Sequence, residues 1–200
     1  VQLLRADEVN RFAGSRQDVS RMAANYAGVA GGGDQRNDVI IRGNSPNGIL
    51  WRLEGIDIPA PNHFALAGNP GGVFSILNNN LLASSDFITG AFPAQYGNKI
   101  AGVFDLRMRN GNNEKPEHTL QVGLNGLEGG TEGRLGQSGS YLVNGRYFYT
   151  GLLDALGADL GASGVPKFWD ASTKLTMKGR SGGTWTLWAI GGKSSLANFE

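Results

Sequence analysis

Apolar and polar residues alternate along two stretches in the second half of the chain. Between residues 141 and 149, tyrosine, valine and glycine take every second position, with leucine, asparagine, arginine and phenylalanine between them. Between residues 169 and 178, tryptophan, alanine, threonine, leucine and methionine alternate with aspartate, serine, lysine and threonine. A period of two predicts β-strands whose faces differ in polarity. Runs of about 9–11 residues suit a tilted strand that crosses a bilayer. They suit equally a soluble antiparallel sheet with one wet face.

The connections between these strands are unequal in length. Residues 136–140 and 179–183 are short and glycine-bearing, whereas residues 150–166 form a long connection. Short turns on one side of a membrane and long loops on the other are typical of outer-membrane barrels. If this is such a barrel, we expect the strand 141–149 to run outward.

The first 110 residues show a mixed pattern, and the organisation changes at residues 110–116. Ser15 and Asp18 resemble a capping box, the apolar residues that follow fall on one helical face, and Gly28 is placed to end that helix. The segment 59–72 predicts an ordered loop, and 73–82 predicts a helical turn or two. Short strands are predicted at 38–42, 48–58, 86–89 and 102–109.

Composition excludes several classes of protein. The 200 residues include 32 glycines without a triplet period, which indicates turns and close backbone approach rather than collagen. Eighteen basic residues balance 17 acidic ones for a net charge of +1, so no attraction to nucleic acid is expected. Cysteine is absent, which removes disulfides and thiolate chemistry. No apolar run approaches the roughly 18 residues of a membrane-spanning helix.

No catalytic or metal-binding constellation is predicted. His63 and His118 lie far apart, and neither has a second ligand at metal spacing. The glycines at 31–33 lack the Lys-Ser/Thr that a phosphate loop requires. No Ser-His-Asp or paired-carboxylate arrangement is indicated by spacing. We therefore expect neither an enzyme nor a cofactor, although a soluble β-rich enzyme or lectin remains an alternative class from these patterns alone.

Five short motifs carry a resemblance to one family. They are VIIRG at 39–43, LEGI at 53–56, ITG at 88–90, YG at 96–97 and GVFDL at 102–106. In this order and spacing they resemble the IRG, VDGV, LRG, YG and GGVINI motifs in the plug domain of TonB-dependent outer-membrane receptors. Glu54 stands where the family usually has aspartate, and Thr89 where it has arginine. The strands after the linker are similar to those of Bacteroidetes-type receptors.

The resemblance implies an α+β plug domain over residues 1–110. Over residues 117–200 it implies antiparallel strands of a transmembrane β-barrel. In the family the plug sits inside a wide barrel. About five strands cannot close such a barrel, so we expect the chain to be the N-terminal part of a longer one, a fragment of a larger barrel.

The resemblance also implies active uptake. In the family, outward loops bind a scarce extracellular solute (a glycan, a peptide or a metal chelate), and periplasmic TonB, energised by the ExbB–ExbD complex, pulls on the plug until a path opens. It implies a place in the outer membrane of a Gram-negative bacterium, in contact with lipid, with the plug accessible from the periplasm. A surface lipoprotein is a further partner to consider. The alternative is a plug-containing barrel with a structural or secretion-related role and no import.

Three loops of the plug would form the floor of the substrate site. Their aromatic and amide side chains suit a solute binder, since rings supply contact area and amides supply orientation. The residues expected to bind substrate are Asn44, Asn47, Asn62, His63, Phe64, Phe92, Gln95 and Tyr96. The family directs the arginine at Arg42 toward acidic residues of the barrel wall, for which Glu128 and Glu132 are local candidates. Against this stand two simpler interpretations: Tyr96 and Phe92 as core residues, and Arg42 as a solvated charge.

Overall fold

The computed structural model describes residues 1–5, 8, 11, 18–33, 36–65, 71–72, 74–123, 126–149, 164–179 and 181–198. The chain divides into two compact units, a first unit Val1–Arg109 and a second unit Asn110–Glu200. The predicted capping residue Ser15 and residues 150–163 of the predicted long loop lie outside the described part. Within that part, no helix is both long enough and apolar enough to cross a membrane.

The first unit combines short strands with one described α-helix, α1 (Val19–Ala23), and 3-10 turns at Pro46–Gly48 and Asn79–Leu81. Its strands are β1 (Gln2–Leu4), β2 (Val29–Gly31), β3 (Val39–Ile41), β4 (Ile49–Leu53), β5 (Ile56–Ile58), β6 (Asn62–His63), β7 (Phe74–Ser75), β8 (Ser85–Ile88) and β9 (Gly102–Leu106). The strands predicted at 38–42, 48–58, 86–89 and 102–109 are confirmed within a few residues, with 48–58 divided into β4 and β5.

Five of these strands form one mixed sheet in the order β1-β8-β9-β4-β5. β4 and β9 run parallel, from the pair Ile49 and Gly102 onward, and the other neighbours are antiparallel. β4 and β5 are joined by the two-residue turn of Glu54 and Gly55, whose φ angles are 51° and 82°. Positive φ at both turn residues matches the twist of the flanking strands, and glycine meets it without steric cost.

The helix α1 is capped differently from the sequence prediction. Asp18 itself is the N-cap, because its carboxylate accepts a hydrogen bond from Ser20 N at 2.7 Å. The helix ends at Ala23, so the prediction that Gly28 ends it is wrong. The side-chain amide of Asn25 donates to the carbonyls of Arg21 and Met22 and competes with further helical turns.

Both faces of the mixed sheet are packed. On one face the ring of Phe104 stacks on Trp51 at 4.0 Å and contacts Phe87 at 4.4 Å between centroids. Since successive strand residues point to opposite faces, Leu50 and Val103 lie on the other face, in a buried cluster with Ile88 and Tyr96. The first unit therefore has its own apolar core.

The second unit is an antiparallel sheet in which each strand pairs with the next one along the chain. Its strands are β10 (Glu117–Gly123), β11 (Gly126–Leu135), β12 (Gly139–Tyr149), β13 (Gly164–Lys178) and β14 (Thr184–Asn198). The strands predicted at 141–149 and 169–178 are confirmed within β12 and β13. β13 begins before residue 169, and residues 136–138, and residues 179 and 181–183, lie in the short turns.

Polarity across the second sheet is the reverse of that in a soluble sheet. Val143 is 40% exposed and Met177 is 48% exposed, whereas Asp170 is 2% exposed and Lys174 is 7% exposed. A soluble antiparallel sheet buries its apolar face and exposes its polar face to water. An exposed apolar face with a polar opposite face is the arrangement of a barrel wall in lipid. This observation favours the membrane interpretation of the alternating pattern. We call the side that carries Val143 and Met177 the apolar face.

Replacing Val143 with arginine should destabilise the folded protein more than replacing Met177 with arginine. Val143 pairs with Thr173 near the middle of the strands, and Met177 pairs with Trp185 near their ends. Arginine costs about 2–4 kcal/mol at the bilayer midplane and about 0–1 kcal/mol near the interface. Equilibrium unfolding of the full-length protein from lipid vesicles measures both costs. Small and equal costs would mean that water, rather than lipid, covers this face.

Candidate functional site

Strand direction gathers three connecting segments at one end of the mixed sheet. β4 and β9 begin at this end, and β5 and β8 finish there. The segments that reach it are 42–48 before β4, 59–65 after β5 and 89–101 between β8 and β9. We call it the loop end. The opposite end carries the turn of Glu54 and Gly55 and the segment 107–109 by which the chain leaves the sheet, and we call it the exit end.

The segment 42–48 is tied to the residues just before β9. Lys99 Nζ donates to the carbonyl of Asn47 at 2.9 Å, and the amides of Ile100 and Ala101 both donate to the carbonyl of Gly48. A Cβ atom at Gly48 would lie 3.0 Å from Ala101 Cβ, which explains the need for glycine at this close approach. Asn44 donates from its side chain to the carbonyl of Ile41 at 3.0 Å.

Two residues at this place, the half-buried Lys99 and the exposed Ile100, were not among the sequence candidates. Ile100 is 79% exposed, and Lys99 spans two loops. Neither belongs to a motif, and only the contact between the two loops identifies them. They add an apolar surface and a cation to the amide of Asn47, which is itself exposed.

The segment 59–72, predicted as an ordered loop, contains β6, which pairs with β7. His63 is buried, and Phe64 follows it with a φ of 61° and a half-buried ring. The carbonyl of Pro61 accepts hydrogen bonds from Ser75 Oγ at 3.2 Å and from the amide of Ile76 at 2.8 Å. The backbone here is therefore ordered by strand pairing. Residues 66–70 lie outside the described part.

The segment 92–96 carries an aromatic residue into the core. Tyr96 is 8% exposed, and its hydroxyl donates to Asp105 Oδ2 at 2.7 Å. This hydrogen bond, together with burial, raises the pKa of Tyr96 above its ordinary value. Phe92 packs against the same buried cluster. The guanidinium of Arg52 lies 5.1 Å from the Tyr96 ring centroid and donates to the carbonyl of Gln95.

The loop end has two separate environments. A small hollow of about 10 Å³ brings together Pro46 of one loop and Asn62 of another. Its lining consists of Asn37, Asp38, Val39, Pro46, Ile49, Trp51, Asn62 and Gly71. Tyr96 packs against Leu50, which points to the face of β4 opposite Trp51. The structure therefore brings Asn62 near the segment 42–48 and places Tyr96 and Phe92 beneath the other face.

Asp18 ties helix α1 to the wall of the hollow. Its Oδ2 accepts a hydrogen bond from the side-chain Nδ2 of Asn37 at 2.6 Å. The backbone amide of Asn37 donates to the carbonyl of Gly72 at 2.8 Å. Burial is the main cause that raises the pKa of Asp18, and its hydrogen bond from Ser20 opposes that rise. The hollow is thus supported by a buried carboxylate that resists ionisation.

Three residues, Arg42, Glu128 and Glu132, are predicted to join the plug to the barrel wall. The surroundings of each are described within its own unit. Arg42 is exposed and follows β3 with a φ of 49°, so it lies just beyond the observed strand, although the predicted strand 38–42 included it. Glu128 accepts a hydrogen bond from Asn144 Nδ2 at 3.0 Å, and Glu132 accepts one from the amide of Asn112 at 2.7 Å. Their role in joining plug to barrel stays a prediction, as does the substrate-binding role of the eight loop residues.

No group of three histidine or acidic side chains is placed to hold a metal ion in the described ranges. The polar groups of the loop end include amides, backbone carbonyls, the amine of Lys99 and the guanidinium of the exposed Arg42. Such groups can orient a solute by hydrogen bonds.

The comparisons with known proteins identify the family. The model of the TonB-dependent receptor plug domain matches residues 1–103, so the chain belongs to the TonB-dependent receptors. The predicted resemblance is confirmed, and so is the α+β plug followed by antiparallel strands. Receptors of this family are transport proteins of the Gram-negative outer membrane. The Bacteroidetes-type likeness stays a prediction.

Two solved structures share the fold along almost the whole chain. The siderophore receptor PirA from Pseudomonas aeruginosa is 14% identical with a TM-score of 0.63, and 96% of this chain covers 33% of it. A mutant of the ferric enterobactin receptor PfeA from the same organism is 18% identical with a TM-score of 0.65, and 96% of this chain covers 32% of it. The chain therefore spans about a third of their length. No curated protein sequence matches it.

Tyr96→Phe should lower the free energy of unfolding by about 1–3 kcal/mol, because it leaves the buried carboxylate of Asp105 without its donor. Gln95→Ala, at the neighbouring exposed position, should change it by less than about 0.5 kcal/mol. Denaturant unfolding of the two variants beside the parent measures the difference. An unchanged stability of the phenylalanine variant would contradict a structural role for the hydroxyl.

Asp18→Asn should flatten the dependence of stability on pH. Because the pKa of Asp18 is raised above about 3.8 in the folded state, the folded chain binds this proton more tightly than the unfolded chain. The stabilisation that this tighter proton binding gives the folded state is complete below pH 3.8, and it is lost as the pH rises through the folded pKa of Asp18. Asparagine keeps the helix cap and does not titrate. The unfolding free energies of parent and variant should be most alike at low pH, where both side chains are neutral, and should separate as the pH rises and the parent loses stability. Parallel curves would argue against a raised pKa.

Proposed function

We propose that residues 1–110 are the plug and residues 117–200 the first barrel strands of an active-transport receptor in a Gram-negative outer membrane. The plug sits inside the barrel and is accessible from the periplasm, where TonB, energised by ExbB–ExbD, pulls on it. The cargo is an extracellular solute: a glycan, a peptide or a metal chelate. A surface lipoprotein is a further candidate partner. The protein moves its solute without transforming it.

One observation carries this proposal: a single sheet separates the loop end from the exit end. The parallel pair β4 and β9 has loops before both strands, and after them come the turn of Glu54 and Gly55 and the segment 107–109. Binding and mechanical pulling can therefore act at opposite ends of the same element. Solute-binding loops carried by a rigid sheet suit a gate that moves only when force is applied to it.

The chemistry of the loop end supports a polar solute with some apolar surface. Exposed Asn47 and Gln95 present amides, and Ile100 presents an aliphatic side chain. The hydrogen bond from Lys99 to the carbonyl of Asn47 holds two of these loops in one arrangement. The solved relatives named above as siderophore and ferric enterobactin receptors support a metal chelate among the candidate solutes. At 14% and 18% identity they support the fold more strongly than the solute.

The double variant Asn47→Ala/Gln95→Ala in the full-length receptor should weaken solute binding while the free energy of unfolding changes by less than about 1 kcal/mol. Ile56→Ala is the matched control, because Ile56 is 57% exposed at the exit end. Binding is measured on purified receptor with the solute that cells accumulate. Equal affinity of the double variant and the control would place the site on other parts of the receptor.

Cellular accumulation of the same solute, measured with and without TonB, tests the transport step. Deleting TonB should leave binding to the receptor intact and abolish accumulation. Unchanged accumulation without TonB would reject active transport. Absence of any solute-dependent accumulation in either strain would favour the structural or secretion-related barrel.

A further inference from the structure

Two lysines interrupt the apolar face of the second sheet, and both lie toward one end of it. Lys167 pairs with Tyr149 on one side and with Ser195 on the other. Two residues further along, Trp169 pairs with Tyr147 and with Lys193. Residues two apart on a strand share a face. Lys167, Lys193 and three aromatic residues therefore form one cluster on the apolar face, which we call the lysine–aromatic cluster.

Every member of this cluster is exposed. The amine of Lys167 lies 5.5 Å from the centroid of the Tyr147 ring, within the range of a cation–π contact. Among the described residues, Lys193 has no hydrogen bond or ion pair. The cluster thus presents two ammonium groups beside amphipathic rings.

No carboxylate balances these charges on the apolar face of the described strands. The acidic residues of the five strands all take alternate positions that belong to the opposite face: Glu117, Glu128, Glu132 and Asp170. Asp170 is already paired with Arg146, at 2.7 Å between Oδ2 and Nη2. The positive charge of the cluster is therefore uncompensated by its own sheet.

The position of the cluster along the strands matches a membrane interface. From Lys167 to Met177 the strand advances ten residues, about 33 Å along its axis. A tilt of about 40° reduces this to about 25 Å along the bilayer normal, the height of the apolar band in an outer-membrane barrel. At the other end of that span, Met177 pairs with the exposed Trp185. Aromatic residues therefore bound the band at both ends, and the lysines lie at only one.

We propose that Lys167 and Lys193 bind the phosphate of an anionic lipid headgroup at the outward-facing edge of the membrane. Lysine binds phosphate as a flexible point charge. Its aliphatic stem can lie along apolar surface while the amine reaches the headgroup. Basic groups near a membrane surface attract anionic lipid. The outward direction follows from residues 150–163, the long connection that joins β12 to β13 at this end. The inference rests on the proposal that this sheet spans the outer membrane.

The test uses the full-length receptor folded into phosphatidylcholine vesicles with and without phosphatidylglycerol. The anionic lipid should raise the equilibrium constant for folding by about fivefold for each lysine that binds it. The double variant Lys167→Gln/Lys193→Gln should lose this increment. Lys178→Gln is the matched control, because Lys178 is exposed on the opposite face at the other end of β13, and it should keep the increment. The double variant Lys167→Arg/Lys193→Arg retains the charge and should also keep it.

Each outcome decides the inference. An increment that survives in the double glutamine variant would overturn the assignment to these lysines. An increment reproduced by inorganic phosphate in phosphatidylcholine vesicles would show a free-anion site and overturn the lipid assignment. Insertion of the receptor into both kinds of vesicle with equal stability would overturn only this inference. Failure to insert into either would also overturn the membrane-spanning role on which the proposed function depends.

Discussion

The parallel pairing of β4 with β9 is the constraint on which the first unit depends. Its register sets Trp51 beside Phe104 and Leu50 beside Val103, so one pairing defines both layers of the core. The same register brings the segments before both strands to one end and places Arg52 beside Asp105. A slip of one residue would exchange the two faces and move every one of these contacts. The loop end is thus a consequence of how the core is built.

A different constraint governs the second unit, because its strands are long and its contacts are chiefly backbone ladders. β13 and β14 have 15 residues each, whereas no strand in the described part of the first unit exceeds five. Backbone ladders of this length tolerate polar or apolar side chains on either face. The medium on each side of the sheet, water or lipid, therefore determines which face is polar and which is apolar. The first unit relies on individual side-chain bonds, such as those of Asp18 with Asn37 and Tyr96 with Asp105. Substitutions that remove a single side-chain hydrogen bond are therefore expected to matter more there.

Sequence patterns predicted the elements that have strong periodicity or motif support. The strands β12 and β13 follow from strict alternation, and β4, β8 and β9 follow from motifs of known order. The two-residue β6 and β7 carry no periodic signal, since pairing to a distant segment defines them. Gly28 failed as a helix end because the side chain of Asn25, three residues earlier, already satisfies the last carbonyls. Local chemistry of this kind is visible only when the partner atoms are placed.

The candidate site also depends on contacts that the sequence alone does not reveal. Residue type drew attention to the segment 92–96, but type alone could not separate the buried Tyr96 from the exposed Gln95 beside it. The deciding fact is the carboxylate of Asp105, nine residues away, which holds the tyrosine hydroxyl inside. Tyr96 therefore links the loop end to the core, while its neighbour faces outward. A loop built in this way can present a binding group without itself being loose, because its aromatic side chain belongs to the sheet beneath it.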